Sequence, residues 1–128
     1  MIVVDETSNI GVVGRFTAEE LERARGAIFD TAVDIIYIFD IDSLKILDMN
    51  RQGLQELGYT IKEIRQKDFF DLHAIEERLR AGEIVDIYRR VGGIHNVLDL
   101  HLRRKDGSLI PVEKNGRITE VNGKPIAH

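Results

Sequence analysis

Leu98, Leu100 and Leu102 alternate with Asp99, His101 and Arg103, and Ile110 and Val112 resume the alternation after a short polar break. Period two is the mark of a strand with one buried face. The break holds Asp106-Gly107, a strong hairpin signal because these residues tolerate the positive φ of a type I′ turn. Arg103, Arg104 and Lys105 keep the turn solvated and discourage edge pairing. Two antiparallel strands with a polar turn need more strands or helices to cover their apolar face. The rest of the chain must supply them.

A chain of 128 residues suffices for one domain with a modest core. Hydrophobic residues make up 43% and charged residues 31%, a globular balance. No apolar run approaches the roughly 20 residues of a membrane helix. Asp5 and Glu6 interrupt the early apolar run, so no signal peptide is expected. Cysteine is absent, which excludes disulfides, thiolate metal sites, cysteine nucleophiles and flavin–cysteine adducts. A cytoplasmic setting is the expectation. The net charge is −4 and no basic segment carries interleaved aromatics, so nucleic acid is not an expected partner.

Along the chain, residues 2–4 and 10–13 read as two short strands around a polar turn. Thr17-Ala18-Glu19-Glu20 is a capping box, with Phe16 and Leu21 placed as a hydrophobic staple. The helix it opens runs over residues 17–30, with Leu21, Ala24 and Ile28 on one narrow face. Residues 35–39 are apolar on both faces and predict an interior strand, and residues 45–49 a second strand paired with it. Asn50 stands where an N-cap belongs, Leu54 and Leu57 mark the helix face, and Gly58 ends the helix. Thr60-Ile61-Lys62-Glu63 is a second capping box. Leu72, Ile75 and Leu79 share a helical face, Gly82 interrupts, and Ile84, Ile87, Tyr88 and Val91 continue to Gly92-Gly93. Asn122-Gly123 predicts another tight hairpin.

Four of these segments resemble PAS domains of the PAS/PAC sensor type. The run Leu102-Arg103-Arg104-Lys105-Asp106-Gly107-Ser108 is similar to the family's hairpin. Asp48-Met49-Asn50, the following helix, and Leu57-Gly58-Tyr59-Thr60-Ile61-Lys62-Glu63-Ile64 resemble its "vN…llGYs.eEl" pattern. Phe69-Phe70-Asp71-Leu72-His73 is similar to the segment that comes next, although Ala74-Ile75-Glu76-Glu77 replaces the usual Pro-Glu-Asp. The resemblance implies an α+β fold over residues 31–128: a five-stranded antiparallel sheet, order second, first, fifth, fourth, third, with helices on one face. An N-terminal hairpin (1–16) and a linker helix (17–30) precede it. By the same resemblance, the hairpin is the tail of a preceding PAS domain. It also implies a multi-domain sensor, a histidine kinase or diguanylate cyclase of a two-component or related system.

The expected function is a non-catalytic sensory module that binds a small ligand, forms a homodimer, or does both, to regulate an effector domain in the same polypeptide. The expected pocket lining is Ile36, Ile38, Leu54, Leu57 and Leu72, with His73, Ile75, Leu79, Leu98 and Leu100. Leu21, Ala24 and Ile28 are the expected dimer contacts. The alternative is a small α+β enzyme with an apolar pocket over the sheet, but no nucleophile elbow, nucleotide loop or metal cluster accompanies it. His95 and His101 stand about 20 Å apart on one strand, so they share no metal. His73 is the one candidate haem ligand, and a single histidine is thin support. Haem and flavin are not expected, and no catalytic residue is assigned. The final strand begins at Lys124 and is short, so residues 10–15 are a candidate to fill its place in the sheet.

Overall fold

The computed structural model describes residues 12–13 and 15–128. The expected strand 2–4 and the polar turn after it lie outside the described residues. Strand β1 (Val12–Val13) pairs antiparallel with β2 (Phe16–Thr17) in a separate two-stranded ribbon. Val12 and Val13 therefore do not enter the main sheet.

Helix α1 (Ala18–Thr31) starts at the predicted capping box. Thr17 Oγ1 accepts from the Glu20 amide at 3.2 Å, and a Glu20 carboxylate oxygen accepts from the Thr17 amide at 3.1 Å. α1 buries none of its residues in the domain.

Strands β3 (Tyr37–Asp40), β4 (Ile46–Met49), β5 (Gly93–Arg103), β6 (Leu109–Val121) and β7 (Lys124–Ala127) form one antiparallel sheet of order β4-β3-β7-β6-β5. This is the expected order. β7 itself occupies the central place: Phe39 and Asp40 pair with Ala127 and Ile126, and Ile118–Val121 pair with Ala127–Lys124. The β6–β7 turn has positive φ at both Asn122 and Gly123, as a two-residue type I′ turn requires. The β5–β6 turn differs from expectation. Only Gly107 is left-handed there (φ 90°), and its amide donates to the Arg104 carbonyl at 2.9 Å. That is a type I turn closed by a left-handed glycine, which needs three loop residues instead of two.

Between β4 and β5 run α2 (Arg51–Leu57), α3 (Ile61–Ile64), two 3-10 turns (Phe70–Leu72 and Ile75–Glu77) and α4 (Arg78–Val91). The second capping box, at Thr60 and Glu63, is present. Gly82 does not interrupt α4, which continues through it. α4 buries Ala81, Ile84, Val85 and Tyr88, the i, i+3, i+4, i+7 row of one helical face. The core joins this row to Phe39, Ile46, Met49, Leu57, Ile64, Phe69, Leu72, Leu100 and Leu102. Phe39 stacks on Phe69 at 4.8 Å and meets Tyr88 edge-on at 5.6 Å.

One close approach fixes a glycine. A Cβ at Gly116 would stand 1.7 Å from the Tyr88 hydroxyl and 2.3 Å from the His128 carbonyl oxygen. Tyr88 donates to that same carbonyl at 3.1 Å. Gly116→Ala is expected to cost on the order of 1–3 kcal/mol by overpacking, read from denaturant unfolding. The cost should be smaller in a Tyr88→Phe background, where the nearer of the two clashing oxygens is gone; equal costs in both backgrounds would contradict the assignment.

Candidate functional site

The inward row of β6 is Ile110, Val112, Lys114, Gly116 and Ile118. Lysine is the only charged residue in it, and it is 8% exposed. Its Nζ donates to the Tyr37 hydroxyl and stands 4.5 Å from the Phe69 ring centroid and 5.1 Å from that of Tyr37. Burial pushes the Lys114 amine well below the usual lysine range, with the Glu77 charge acting the other way. Burial likewise raises the Tyr37 phenol well above its ordinary value, with the Tyr88 phenol adding to the rise.

His73 is fully enclosed at 0% exposure, its ring 4.8 Å from that of Phe69. Nδ1 lies 2.9 Å from the Phe69 carbonyl. A carbonyl only accepts, so Nδ1 carries the proton. Nε2 is then a bare acceptor, and it has no partner among the described residues. Burial, and next the Lys114 charge, lower the imidazole pKa to about 3. Glu77 is engaged elsewhere: its carboxylate accepts from the His101 amide at 2.9 Å and meets His101 Nδ1 at 2.7 Å. His101 is half-buried against this carboxylate.

A half-open cavity of about 880 Å³ between β3 and β6 is lined by Tyr37 and Lys114, together with the carboxylates of Asp34, Glu56 and Glu113, and not by His73, Glu77 or His101. Ile35, Ile36 and Tyr37 line one side, Ile110 to Asn115 the other, with Tyr88 and Leu102 behind. Among the described residues no group of three or more His, Asp or Glu could hold a metal ion, and no helix is long and apolar enough to cross a membrane.

A family model described as PAS domain matches residues 23–90, more than half of the chain. The chain belongs to the PAS domain family. Solved structures agree on the fold. One neighbour is a domain of the sensory box sensor histidine kinase/response regulator from Geobacter sulfurreducens. It shows 22% identity and a TM-score of 0.70, covering 89% of this chain and 96% of that one. Another is the PAS domain of an HTR-like protein from Haloarcula marismortui, with 20% identity, a TM-score of 0.67, and coverage of 86% and 88%. A third is the PAS domain of nitrogen regulation protein NR(II) from Vibrio parahaemolyticus, at 17% identity and a TM-score of 0.65 over 80% and 91%. No curated protein matches the chain.

Within this PAS domain the expected lining residues divide. Leu57, Leu72, His73 and Leu100 are buried, and Leu54 packs partly on the core. Ile36 lines the cavity from β3's approach, but on β3 itself the inward phase belongs to Tyr37 and Phe39, so Ile38 is outside the core. Ile75 and Leu79 are exposed at 64% and 81%. Ile75 sits in a 3-10 turn and α4 begins only at Arg78, which places Leu79 off the buried row. Leu98 is 54% exposed. Positive φ at Asn96 and Asp99, with register shifts beside them, breaks the alternation that would have put Leu98 with Leu100. The sequence reading missed Lys114. Its signal was present: a charge in phase with Ile110, Val112 and Ile118.

Proposed function

We propose that this PAS domain is a non-catalytic sensory module that binds a small ligand in its interior and pairs with a second copy through α1. It passes the resulting bias to an effector in the same polypeptide, a histidine kinase or diguanylate cyclase, with residues 1–16 the tail of a preceding PAS domain. The observation that carries the reading is the state of α1. Fourteen residues with a complete capping box make about 21 Å of helix, marginal alone in water. Yet the domain buries none of them, and Ile28 is 67% exposed. Leu21 is half-buried and Ala24 exposed. Contact with α2 ties this helix to the domain. The neighbouring structure from a Geobacter sulfurreducens sensor histidine kinase/response regulator supports the effector class.

Leu21→Glu and Ile28→Glu are each expected to convert a dimer to a monomer in light scattering, with the melting curve of the sheet domain retained. A wild-type chain that stays monomeric at millimolar concentration would refute the pairing. Ligand occupancy is read separately, by native mass spectrometry of the protein as purified.

A further inference from the structure

Two Asn-Gly dipeptides occur in the chain, Asn115-Gly116 and Asn122-Gly123. The fold treats them differently. The first lies inside β6, where Lys114 and Gly116 on either side of Asn115 pair with Val97 and Ile94 of β5. Asn115 Oδ1 accepts from the Asn96 amide at 2.9 Å, and among the described residues the Asn122 carboxamide has no such partner. Asn122-Gly123 is the exposed tip of the β6–β7 hairpin. Among the described residues the Gly123 amide has no backbone acceptor. A Cβ on Gly123 would meet nothing within 4 Å, so the space around this dipeptide is open.

We propose that Asn122 is a site of spontaneous modification in the folded domain, where its carboxamide condenses with the Gly123 amide and the resulting isoaspartate loosens the central strand β7. The Gly123 nitrogen gives its proton to solvent base and attacks Asn122 Cγ. The new N–Cγ bond closes a succinimide ring, and the carboxamide nitrogen leaves as ammonia, taking a proton from water. Water then opens the ring. Breaking the N–Cγ bond leaves aspartate. Breaking the bond from the nitrogen to the backbone carbonyl carbon leaves isoaspartate, with the main chain running through Cβ and Cγ. Ring closure requires the tip to leave its turn geometry. At an unpacked hairpin tip this is a local opening, whereas Asn115 is freed only when the β5–β6 ladder parts.

The two products differ in what they do to the fold. Asp-Gly suits the left-handed φ of 52° and 77° at this turn as Asn-Gly does. Isoaspartate lengthens a two-residue loop by a main-chain atom, and loop length sets the turn type. The closing pair is Val121 with Lys124. β7 has only four residues, and its Ile126 and Ala127 are the ones that hold β3. A disturbed closing pair therefore acts on the strand that joins the two halves of the sheet.

The test follows the wild-type full chain, kept folded at mildly alkaline pH, by peptide mass spectrometry with electron-transfer fragmentation to separate aspartate from isoaspartate. Asn122 is expected to convert at least tenfold faster than Asn115, and the two rates are expected to converge in urea, where both dipeptides are free. The deamidated fraction, separated by its added negative charge, should melt below freshly prepared Asn122→Asp, which should keep the parent melting curve. Equal rates at Asn122 and Asn115 in the folded chain overturn the assignment of the site. A deamidated fraction that contains isoaspartate yet melts with Asn122→Asp overturns the effect on β7.

Discussion

Asn50→Ala is expected to destabilise the domain by about 3–5 kcal/mol, a large share of the roughly 5–15 kcal/mol such domains possess. Asn50 is fully buried and makes three side-chain hydrogen bonds. Its Oδ1 accepts from the Ile36 amide at 2.9 Å and from the Gly53 amide at 3.0 Å, and its Nδ2 donates to the Asp34 carbonyl at 2.8 Å. Losing the cap on α2 costs about 0.5–2 kcal/mol. Each buried backbone group left unpaired adds about 1–3 kcal/mol. Asn50→Asp keeps both acceptor bonds but sets a carboxylate oxygen against the Asp34 carbonyl and buries its charge, so it too should cost stability. The effect is also positional. Residues 34–36 join α1 to β3, and Asn50 fastens them to α2, so hydrogen exchange over 32–36 should rise in Asn50→Ala before global unfolding. An unchanged melting temperature would show that these bonds carry no net stability.

The second large effect is a loss of stability on mild acidification that depends on His73. In the folded domain burial, reinforced by the Lys114 charge, holds this imidazole down to about 3. The unfolded chain takes up a proton near pH 6.5. Below that pH the unfolded state binds more protons than the native one, so stability falls as pH falls, by about 1.4 kcal/mol per unit. The contribution is fully present above pH 6.5 and should be reduced by about 2–3 kcal/mol at pH 4.5.

Below pH 4.5 the carboxylates held low in the fold add their own losses. They are Glu63, kept at about 2 first by its bond to Lys105, and Glu77, Asp40 and Asp106. The window from 6.5 to 4.5 therefore separates the imidazole from these carboxylates. Lys114, depressed by burial, adds a slope of the same sign that ends at its unfolded value of about 10.4. His73→Phe should flatten urea-measured stability across the acid window while retaining any lysine-dependent slope. A variant with the wild-type slope between pH 6.5 and 4.5 would contradict the assignment.

Both predictions turn on residues whose local roles differ in how far sequence reveals them. Asn50 was legible as a helix cap because capping is local: the Asn50 side chain satisfies the amide of Gly53, three residues on. Its bonds to Asp34 and Ile36 were not, because they join residues 16 and 14 positions away. The sequence put His73 among the expected pocket residues, but did not reveal an enclosed neutral imidazole, since its environment comes from Phe69 and from Lys114 on a distant strand.

The sequence by itself determined the elements whose forces act within a few residues. Two capping boxes, the Asn50 cap, the left-handed ends of α2 at Gly58 and α4 at Gly92, and the Asn122-Gly123 turn all stand where the residues placed them. Together with the resemblance to PAS domains, they led to the sheet order. Tertiary structure alone decided which faces became interior. The positive φ at Asn96 and Asp99 reset the phase of β5 and turned Leu98 outward. The 3-10 turn over Ile75–Glu77 delayed α4 and left Leu79 in solvent. β7, only four residues long, took the central place because pairing with β3 and β6 satisfies backbone groups on both sides at once. Lys114 became buried for a related reason: strand alternation fixes the side of the sheet, and only the assembled helices and Phe69 decide whether that side holds water.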